Sequence, residues 1–307
     1  MLELYYADNF ELPLPENHRF PMSKYRLLRE RLDACDFADR LQLQNPPAAT
    51  DEQLLLVHTE DYLQRLKRGE LSDLEVRRIG FPWSEEMVER SRRSTGASIS
   101  AGFAAIESGV AGNLAGGTHH SFADHGQGYC VFNDVCVAAK CLQEQGLIQN
   151  ALIIDCDVHQ GNGTAAITKD DDSMFSFSMH CQKNYPFKKM ASDLDVALPE
   201  GTGDDEFLNA LQMSLDGIFT DFDADIVFYL AGADPFEGDR LGLMRLTKEG
   251  LQQRDEIVFS ECRKRGVPVA FCMAGGYAPE VEDIVDIHFG TVKTAFDTFF
   301  RHRSKTE

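Results

Sequence analysis

The architecture of this protein is best predicted from one stretch, which reads Ala151-Leu152-Ile153-Ile154-Asp155-Cys156-Asp157-Val158-His159-Gln160-Gly161-Asn162-Gly163. Residues 151–154 predict a buried strand, and the glycines that follow predict a loop at its end. Side chains two residues apart on a strand share a face, so Asp155, Asp157 and His159 could converge on one point. Two carboxylates beside an imidazole suit a hard or borderline metal ion. The same letters also fit a helix cap at Asp157 and a hydrogen-bonded loop histidine at His159.

Size and charge limit the classes of function. The chain has 307 residues, of which 43% are apolar, and this is within the range of one large α/β domain. Its 30 basic and 50 acidic residues leave a formal net charge of -20. That balance argues against nucleic acid or an anionic membrane surface as a partner, since both require a basic patch. No apolar run approaches the roughly 18 residues of a membrane span, and the acidic start Met1–Asp8 is unlike a signal peptide. We therefore expect a cytoplasmic protein.

The eight cysteines include no C-x-x-C pair, and several lie within apolar runs. This usage is typical of buried thiols in a reducing compartment. Cys156 alternates with Asp155 and Asp157, so its side chain should face the core. We interpret Cys130 and His180 as structural residues as well.

Short apolar runs alternate with longer helical patterns along the chain, which predicts a mainly parallel sheet with helices on both faces. No repeat, low-complexity tract or long linker interrupts this alternation, so we expect one domain over residues 1–307. The predicted strands are Leu2–Tyr6, Asn113–Ala115, Ala151–Asp155, Met174–Met179, Asp195–Leu198, Ile226–Ala231 and Val267–Met273.

Several helix ends carry recognisable caps. A capping box begins at Thr50, and Ser84 precedes a helix that Gly109 should end. Further helices are predicted from about Asp134 to Gln145, from Thr247 to Gly266, and around Pro279, which suits a first helical turn.

Polar segments follow three more of the predicted strands, and ligands in such folds bind outside the carboxyl ends of the strands. These segments are Gly116–Ser121, Gly232–Asp239 and Ala274–Tyr277. Ordinary turn chemistry would explain any one of them. Four segments that each bring a His, Asp or Tyr to the same edge favour a metal site instead.

On these residues the chain resembles zinc-dependent histone deacetylases of the arginase-deacetylase superfamily. The resemblance implies a single-domain, three-layer arginase/deacetylase fold with a mainly parallel central sheet and helices on both faces. The similarity extends outward through Val57–Leu63 and His18–Pro21 and so covers nearly the whole chain. The motifs that carry the resemblance are Gly116–His120, Gly126–Asp134, Asp155–Gly163, Gly232–Asp234 and Gly275–Tyr277.

Two segments resemble the class IV branch of that family, in a bacterial-type member. They are His159–Gly163 and Glu237–Gly242. Class I relatives usually have His at the position of Gln160 and Asp at the position of Asn162.

The resemblance implies one catalytic Zn²⁺, with Asp157, His159 and Asp234 as its ligands. Three protein ligands leave a coordination position for water and substrate, as in catalytic zinc sites. The implied reaction removes an acetyl or longer acyl group from the ε-amino group of lysine in a protein or peptide.

The resemblance also assigns the acid–base residues. His120 would be the general base and then the general acid, with Asn162 behind it. His119 would orient water, with Asp155 behind it, and Tyr277 would donate to the oxyanion. Because Asn162 is a neutral amide, we expect the pKa of His120 to lie below that in class I relatives.

The implied acyl-lysine channel has Gly128 and Tyr129 on one side, where the family usually has Phe at the second position. Tyr185 and Phe187 are candidates for the opposite wall. Asp155 and Ser178 resemble a monovalent-cation site, which K⁺ would occupy. Arg19 aligns with an arginine of the family's internal acetate channel.

Three alternatives stay open. An arginase-like binuclear manganese hydrolase shares the fold but would need further ligands where Gln160, Asn162 and Phe236 stand. A non-catalytic acyl-lysine binding module would not need the catalytic set. An acetylpolyamine deacetylase typically carries a long loop insertion, and Gly69–Glu89 is short for one. Nothing in the sequence marks an obligate oligomer interface.

Overall fold

The computed structural model describes residues 1–15 and 18–301. Within them eight strands form one sheet, in the order β2-β1-β3-β8-β7-β4-β5-β6, and every neighbouring pair is parallel. The strands are β1 (Leu2–Tyr5), β2 (Leu41–Gln44), β3 (Val110–Asn113), β4 (Ala151–Asp155), β5 (Met174–Cys181), β6 (Leu194–Leu198), β7 (Ile226–Leu230) and β8 (Val269–Cys272).

Two strands differ from the sequence prediction. The strand predicted at Asn113–Ala115 lies earlier, as β3, directly after the helix-ending residue Gly109. This strand is hard to recognise in the sequence because several of its residues are small. Position 112 requires glycine, since a Cβ there would collide with the ring of Phe271. The edge strand β2 was not predicted, since four residues that alternate Leu and Gln carry little apolar signal.

Ten α-helices occur in the described residues. They are α1 (Lys24–Asp33), α2 (Asp51–Leu54), α3 (Glu60–Arg68), α4 (Asp73–Ile79), α5 (Glu85–Ser108), α6 (Asp134–Glu144), α7 (Asn162–Thr168), α8 (Asp204–Asp221), α9 (Lys248–Arg265) and α10 (Val281–Phe300).

The predicted caps are mostly confirmed. The Thr50 capping box is present, and the side chains of Ser84 and Thr247 accept backbone hydrogen bonds at the starts of α5 and α9. Gly109 and Gly266 end these two helices in the left-handed conformation that glycine adopts without strain. The last helix begins at Val281, two residues after the predicted first-turn position Pro279.

The sheet is covered on both faces, which makes the fold three-layered. In β4, Leu152 and Ile154 pack on one side with α1, α8, α9 and α10, whereas Ala151 and Ile153 pack on the other with α3, α5 and α6. Burying one such Ile side chain stabilises the fold by roughly 1.5–3 kcal/mol. Cys156 is fully buried in the first of these clusters, as predicted.

No helix within residues 1–15 and 18–301 combines the length and the apolar character that a membrane span requires. All eight cysteines are free thiols, and seven of them are buried. The carboxyl ends of the four adjacent strands β3, β8, β7 and β4 meet at one edge of the sheet. The polar segments identified in the sequence follow these four strands.

Candidate active site

The three residues expected to bind a metal lie together. Asp157 and His159 follow β4, and Asp234 follows β7. Nδ1 of His159 is 2.9 Å from Oδ1 of Asp157 and 3.1 Å from Oδ2 of Asp234. One ligand atom of each residue lies within 4.8 Å of the others, and all three residues are buried. This arrangement offers one nitrogen and two carboxylate oxygens to a single ion.

Backbone amides hold the two carboxylates in place. Asp157 accepts hydrogen bonds from the backbone N–H groups of His159 at 2.9 Å and Gly275 at 2.8 Å, while Asp234 accepts one from Val158 at 2.9 Å. A Cβ at Gly275 would lie 2.0 Å from a carboxylate oxygen of Asp234. Only glycine allows the loop after β8 to approach this closely.

The pKa values in this group follow from burial and mutual charge. Burial opposes ionisation of Asp157, but His119 and His159 hold the pKa of its carboxyl well below the ordinary value. Burial and the charge of Asp157 raise the pKa of Asp234 to about 7. Burial would lower the pKa of His159, yet its bonds to the two carboxylates raise it to about 10. The two carboxylates therefore strongly favour a positive charge between them.

Two adjacent histidines follow β3, with ring centroids 4.1 Å apart. Nδ1 of His119 lies 2.6 Å from Oδ2 of Asp155, whereas Nδ1 of His120 lies 2.8 Å from Oδ1 of Asn162. These are the contacts predicted for the pair. One histidine thus has a carboxylate behind it and the other has a neutral amide.

The pKa values of the two histidines are shifted in opposite directions. Burial would lower the pKa of His119, but the negative charges of Asp155 and Asp157 raise it to about 9. Burial, together with the positive charges of His119 and His159, lowers the pKa of His120 well below its ordinary value. His119 is therefore suited to remain cationic and His120 to accept a proton.

A buried carboxylate shapes the turn that carries the histidine pair. Asp134 accepts hydrogen bonds from the backbone N–H groups of Gly117 at 3.1 Å and Thr118 at 2.7 Å. It also accepts from the hydroxyls of Thr118 and Ser98. Gly116 and Gly117 both have positive φ, at 77° and 69°, so the turn requires glycine. Asp134 positions the pair without touching it.

Tyr277 stands above the metal group, with its ring centroid 6.3 Å from that of His159. Asp239 fixes its backbone by accepting the N–H at 2.6 Å, and the buried Lys24 donates to the carbonyl of Gly276 at 3.2 Å. Burial raises the pKa of the Tyr277 phenol well above its ordinary value. The hydroxyl therefore keeps its proton and can donate it in a hydrogen bond.

The expected channel residues take different places. Gly128 and Tyr129 both have positive φ, and a Cβ at Gly128 would lie 2.6 Å from the ring of His120. The ring of Tyr185 packs edge-on against His120, with centroids 4.9 Å apart. Phe187 is 95% exposed and lies at the outer end of the opening. The ring of Tyr185, rather than that of Phe187, packs against the histidines, and the role of either residue as a channel wall stays a prediction.

Three neighbouring cavities, which share lining residues, lie at the site. An outer cavity of about 510 Å³ opens to solvent. A central cavity of about 40 Å³ adjoins it, and an inner cavity of about 10 Å³ continues past Tyr25, Arg90 and Ser94. Five residues line both the outer and the central cavities, namely His120, Gly128, Tyr129, His159 and Tyr277.

Two further expectations have different outcomes. Ser178 is paired with Asp155 across β4 and β5, and its hydroxyl lies 3.1 Å from Nδ1 of His180. A cation role for Asp155 and Ser178 stays a prediction. Arg19 does not line the inner cavity as expected but lies exposed on the outer one. Arg90, on α5, lines the inner cavity instead, together with Tyr6, Met22 and Tyr25 of the amino-terminal segment, whereas Arg19 of the same segment is exposed at the outer cavity.

A family model described as the histone deacetylase domain matches residues 18–292. The chain belongs to the histone deacetylase family. It is 42% identical over 294 residues to an uncharacterized protein of Picosynechococcus sp.. The aligned region covers 96% of this chain and 98% of that protein. It is 31% identical to histone deacetylase 2 of Arabidopsis thaliana, over 90% of this chain and 74% of that one.

A solved structure of a histone deacetylase homolog complexed with SAHA is similar to this chain, with a TM-score of 0.78 and 26% identity. The similarity covers 97% of this chain and 88% of that one. The predicted family and its three-layer α/β fold are thereby confirmed.

Sequence reasoning missed what two residues of this site do. In the sequence, Gln160 was used only to compare branches of the family. In the structure, its amide NH₂ donates to the carbonyl of Met190 and to Asp195, and its amide oxygen accepts from the N–H of Met190. It ties the loop that carries Tyr185 to the end of β4. Asp239 holds the backbone of Tyr277. No local pattern identifies either role, because both partners are distant in sequence.

Proposed function

We propose that this protein is a zinc-dependent deacylase, with one deacetylase domain, that hydrolyses the amide of acylated lysine in peptides or proteins. One observation carries the proposal. Asp157 and His159, which are grouped with the buried Asp234, line one cavity together with the histidine pair and Tyr277. A metal site, a base, a cation and an oxyanion donor are together the parts that suit metal-assisted amide hydrolysis.

The donor set fits zinc. One imidazole nitrogen and two carboxylate oxygens are ligands that zinc accepts, and three protein ligands leave a position for water and substrate. The buried carboxylates have no Lys or Arg side chain as an ion-pair partner among the described residues, which favours a bound cation. When bound, zinc polarises the amide carbonyl and lowers the pKa of water towards about 7.

His120 is the proposed general base. Its Nδ1 proton is held by Asn162, so Nε2 is left to take a proton from the attacking water. The oxygen of that water forms a bond to the acyl carbon. The C–N bond then breaks, and His120 returns the proton to the departing lysine amine. The products are a carboxylic acid and free lysine.

Charge that develops on the carbonyl oxygen is stabilised from two sides in this proposal. His119, kept cationic by Asp155, supplies positive charge, and Tyr277 donates its hydroxyl. The lysine side chain would reach these groups between Tyr129 and Tyr185. The acyl group would then extend towards Arg90 in the inner cavity.

We also propose that the protein is a class IV-like member of the family. The contacts of Asn162 and Gln160, the two residues that suggest this branch, support one bound metal ion rather than two. The amide of Asn162 is bonded to His120, and the amide of Gln160 is bonded to Met190 and Asp195. Neither amide is therefore placed to extend the metal group, as a binuclear manganese hydrolase would require.

The test is turnover by zinc-loaded protein of matched peptides with acetyl-lysine, together with acetylated polyamines. The proposal expects release of acetate and free lysine, and loss of both on chelation followed by recovery with Zn²⁺. A protein that binds acyl-lysine peptides but never cleaves them would be a binding module. Cleavage of acetylated polyamines alone would replace lysine as the substrate.

A further inference from the structure

The outer cavity has an unusual charge for this protein. Its rim is formed by four cationic side chains, from Arg19, Arg77, Arg78 and Lys183. No Asp or Glu is among the described residues that line it. The whole chain has 50 acidic and 30 basic residues. A cavity surface with four cationic side chains and no carboxylate therefore differs in charge from the chain as a whole.

Three of these cations have no ion-pair partner in the part of the chain that the structure describes. Within residues 1–15 and 18–301, the side chains of Arg19, Arg77 and Arg78 form no ion pair or hydrogen bond. Lys183 pairs with the exposed Glu200 at 2.9 Å. In contrast, Arg65 of the neighbouring helix α3 pairs with two carboxylates. The rim arginines are exposed to solvent and available to a ligand.

Backbone contacts fix these arginines beside the channel. The carbonyl of Arg78 accepts a hydrogen bond from the N–H of Gly128 at 2.9 Å, and Ile79 accepts one from Tyr129 at 2.7 Å. The ring of His18, next to Arg19, lies 2.9 Å from the carbonyl oxygen of Gly80. Cations at the end of α4 also suit the helix dipole. The dipole does not explain Arg19, which lies outside any helix but on the same rim.

We propose that this rim selects acyl-lysines whose neighbouring residues in the peptide are acidic, an inference that rests on the proposed deacylase function. With the acyl-lysine side chain in the channel, the flanking peptide residues lie at the rim. Guanidinium groups bind carboxylates in a two-pronged geometry. A basic peptide tail or an acetylated polyamine brings positive charge to the same surface and is repelled.

The experiment compares kcat/KM for three acetyl-lysine peptides of equal length, with Asp/Glu, Gln/Ser or Lys/Arg around the acetyl-lysine, and for acetylated spermidine. Wild-type protein should prefer the acidic peptide, mainly through KM. Arg77→Gln and Arg78→Gln should each reduce that preference by roughly twofold to fivefold. The double charge reversal R77E/R78E should favour the basic peptide instead, which a loss of folding would not produce.

Lys264→Gln is the matched control. It removes one exposed cation near the end of α9, where the chain enters β8 at the opposite edge of the sheet, and should leave the preference unchanged. About 0.5 M NaCl should weaken the wild-type preference, since such salt shortens the range of exposed charges. Turnover of all three peptides at equal rates, or a preference that R77E/R78E does not alter, overturns this inference alone. Absence of peptide turnover overturns the proposed function as well.

Discussion

The side-chain oxygen of Asn162 lies 2.8 Å from Nδ1 of His120. A neutral amide accepts the Nδ1 proton but does not stabilise a positive charge on the ring as a carboxylate would. Burial and the charges of His119 and His159 act in the same direction, so the pKa of His120 lies well below its ordinary value. His120 therefore stays neutral and able to accept a proton in mildly acidic solution.

Replacement of Asn162 by Asp should move the acid limb of the pH–kcat/KM profile to higher pH. The new carboxylate stabilises the imidazolium and raises the pKa of His120, and only the neutral ring acts as a base. Steady-state assays with an acetyl-lysine peptide over a pH series measure the shift. Asn209→Asp, an exposed change of the same kind on α8, is the control. An acid limb that does not move would show that another group limits the rate.

Tyr277→Phe should reduce kcat by about 10²–10³-fold with zinc content unchanged, as for loss of one oxyanion donor. The ring that packs near Phe20 and Tyr129 is retained, so only the hydroxyl is lost. Single-turnover kinetics and metal analysis measure the two quantities. Tyr5→Phe, which removes a hydroxyl bonded to Glu3 on β1, should have no effect on kcat. A kcat close to wild type would exclude Tyr277 as the donor.

Wild-type protein should retain one tightly bound zinc per chain, and Asp234→Asn should retain much less. The amide removes one of two buried carboxylates that favour a positive charge. Metal analysis after dialysis against a weak chelator gives the stoichiometry. Asp172→Asn, an exposed change of the same type, serves as the control. Two equivalents of a tightly bound metal per wild-type chain would contradict the one-metal site.

Gln160→Leu should lower the free energy of unfolding by about 1–3 kcal/mol, because a buried amide loses its partners and leaves theirs unsatisfied. The loop that carries Tyr185 also loses its tie to β4, so KM for peptides should rise. Denaturant unfolding and steady-state kinetics measure the two effects. Gln182→Leu, exposed on the same loop, is the matched control. Unchanged stability with an unchanged KM would refute the tie.

Acetyl-lysine should be hydrolysed faster than myristoyl-lysine in the same peptide. The cavity beside the metal group has a volume of about 40 Å³ and narrows to one of about 10 Å³, which is roughly the space of one water molecule. A long acyl chain does not fit there without displacement of Arg90 or Tyr25. Rates for a series from acetyl to myristoyl measure this preference. A preference for the longest chains would show that the inner cavity opens.

The fold was largely predictable because its signals are local. Buried runs such as Ile226–Leu230 and caps such as Ser84 act within a few residues of themselves, and they appear in the structure where expected. The sequence signal for a strand is weak where tertiary packing overrides the local strand propensity. The small residues of β3 form a strand because they pair with β1 and β8 on either side, and Gly112 leaves room for the ring of Phe271.

Local sequence determined which chemical groups this protein carries and that they gather at one edge of a parallel sheet, because the carboxyl ends of such strands meet. Tertiary structure alone decided which groups touch. It paired His120 with Asn162 and His119 with Asp155, and it placed Tyr185 rather than Phe187 against the histidines. It also placed Arg19 at the rim of the outer cavity rather than beside the inner cavity. These contacts join residues far apart in the chain, and their distances depend on packing between layers, which no local pattern encodes.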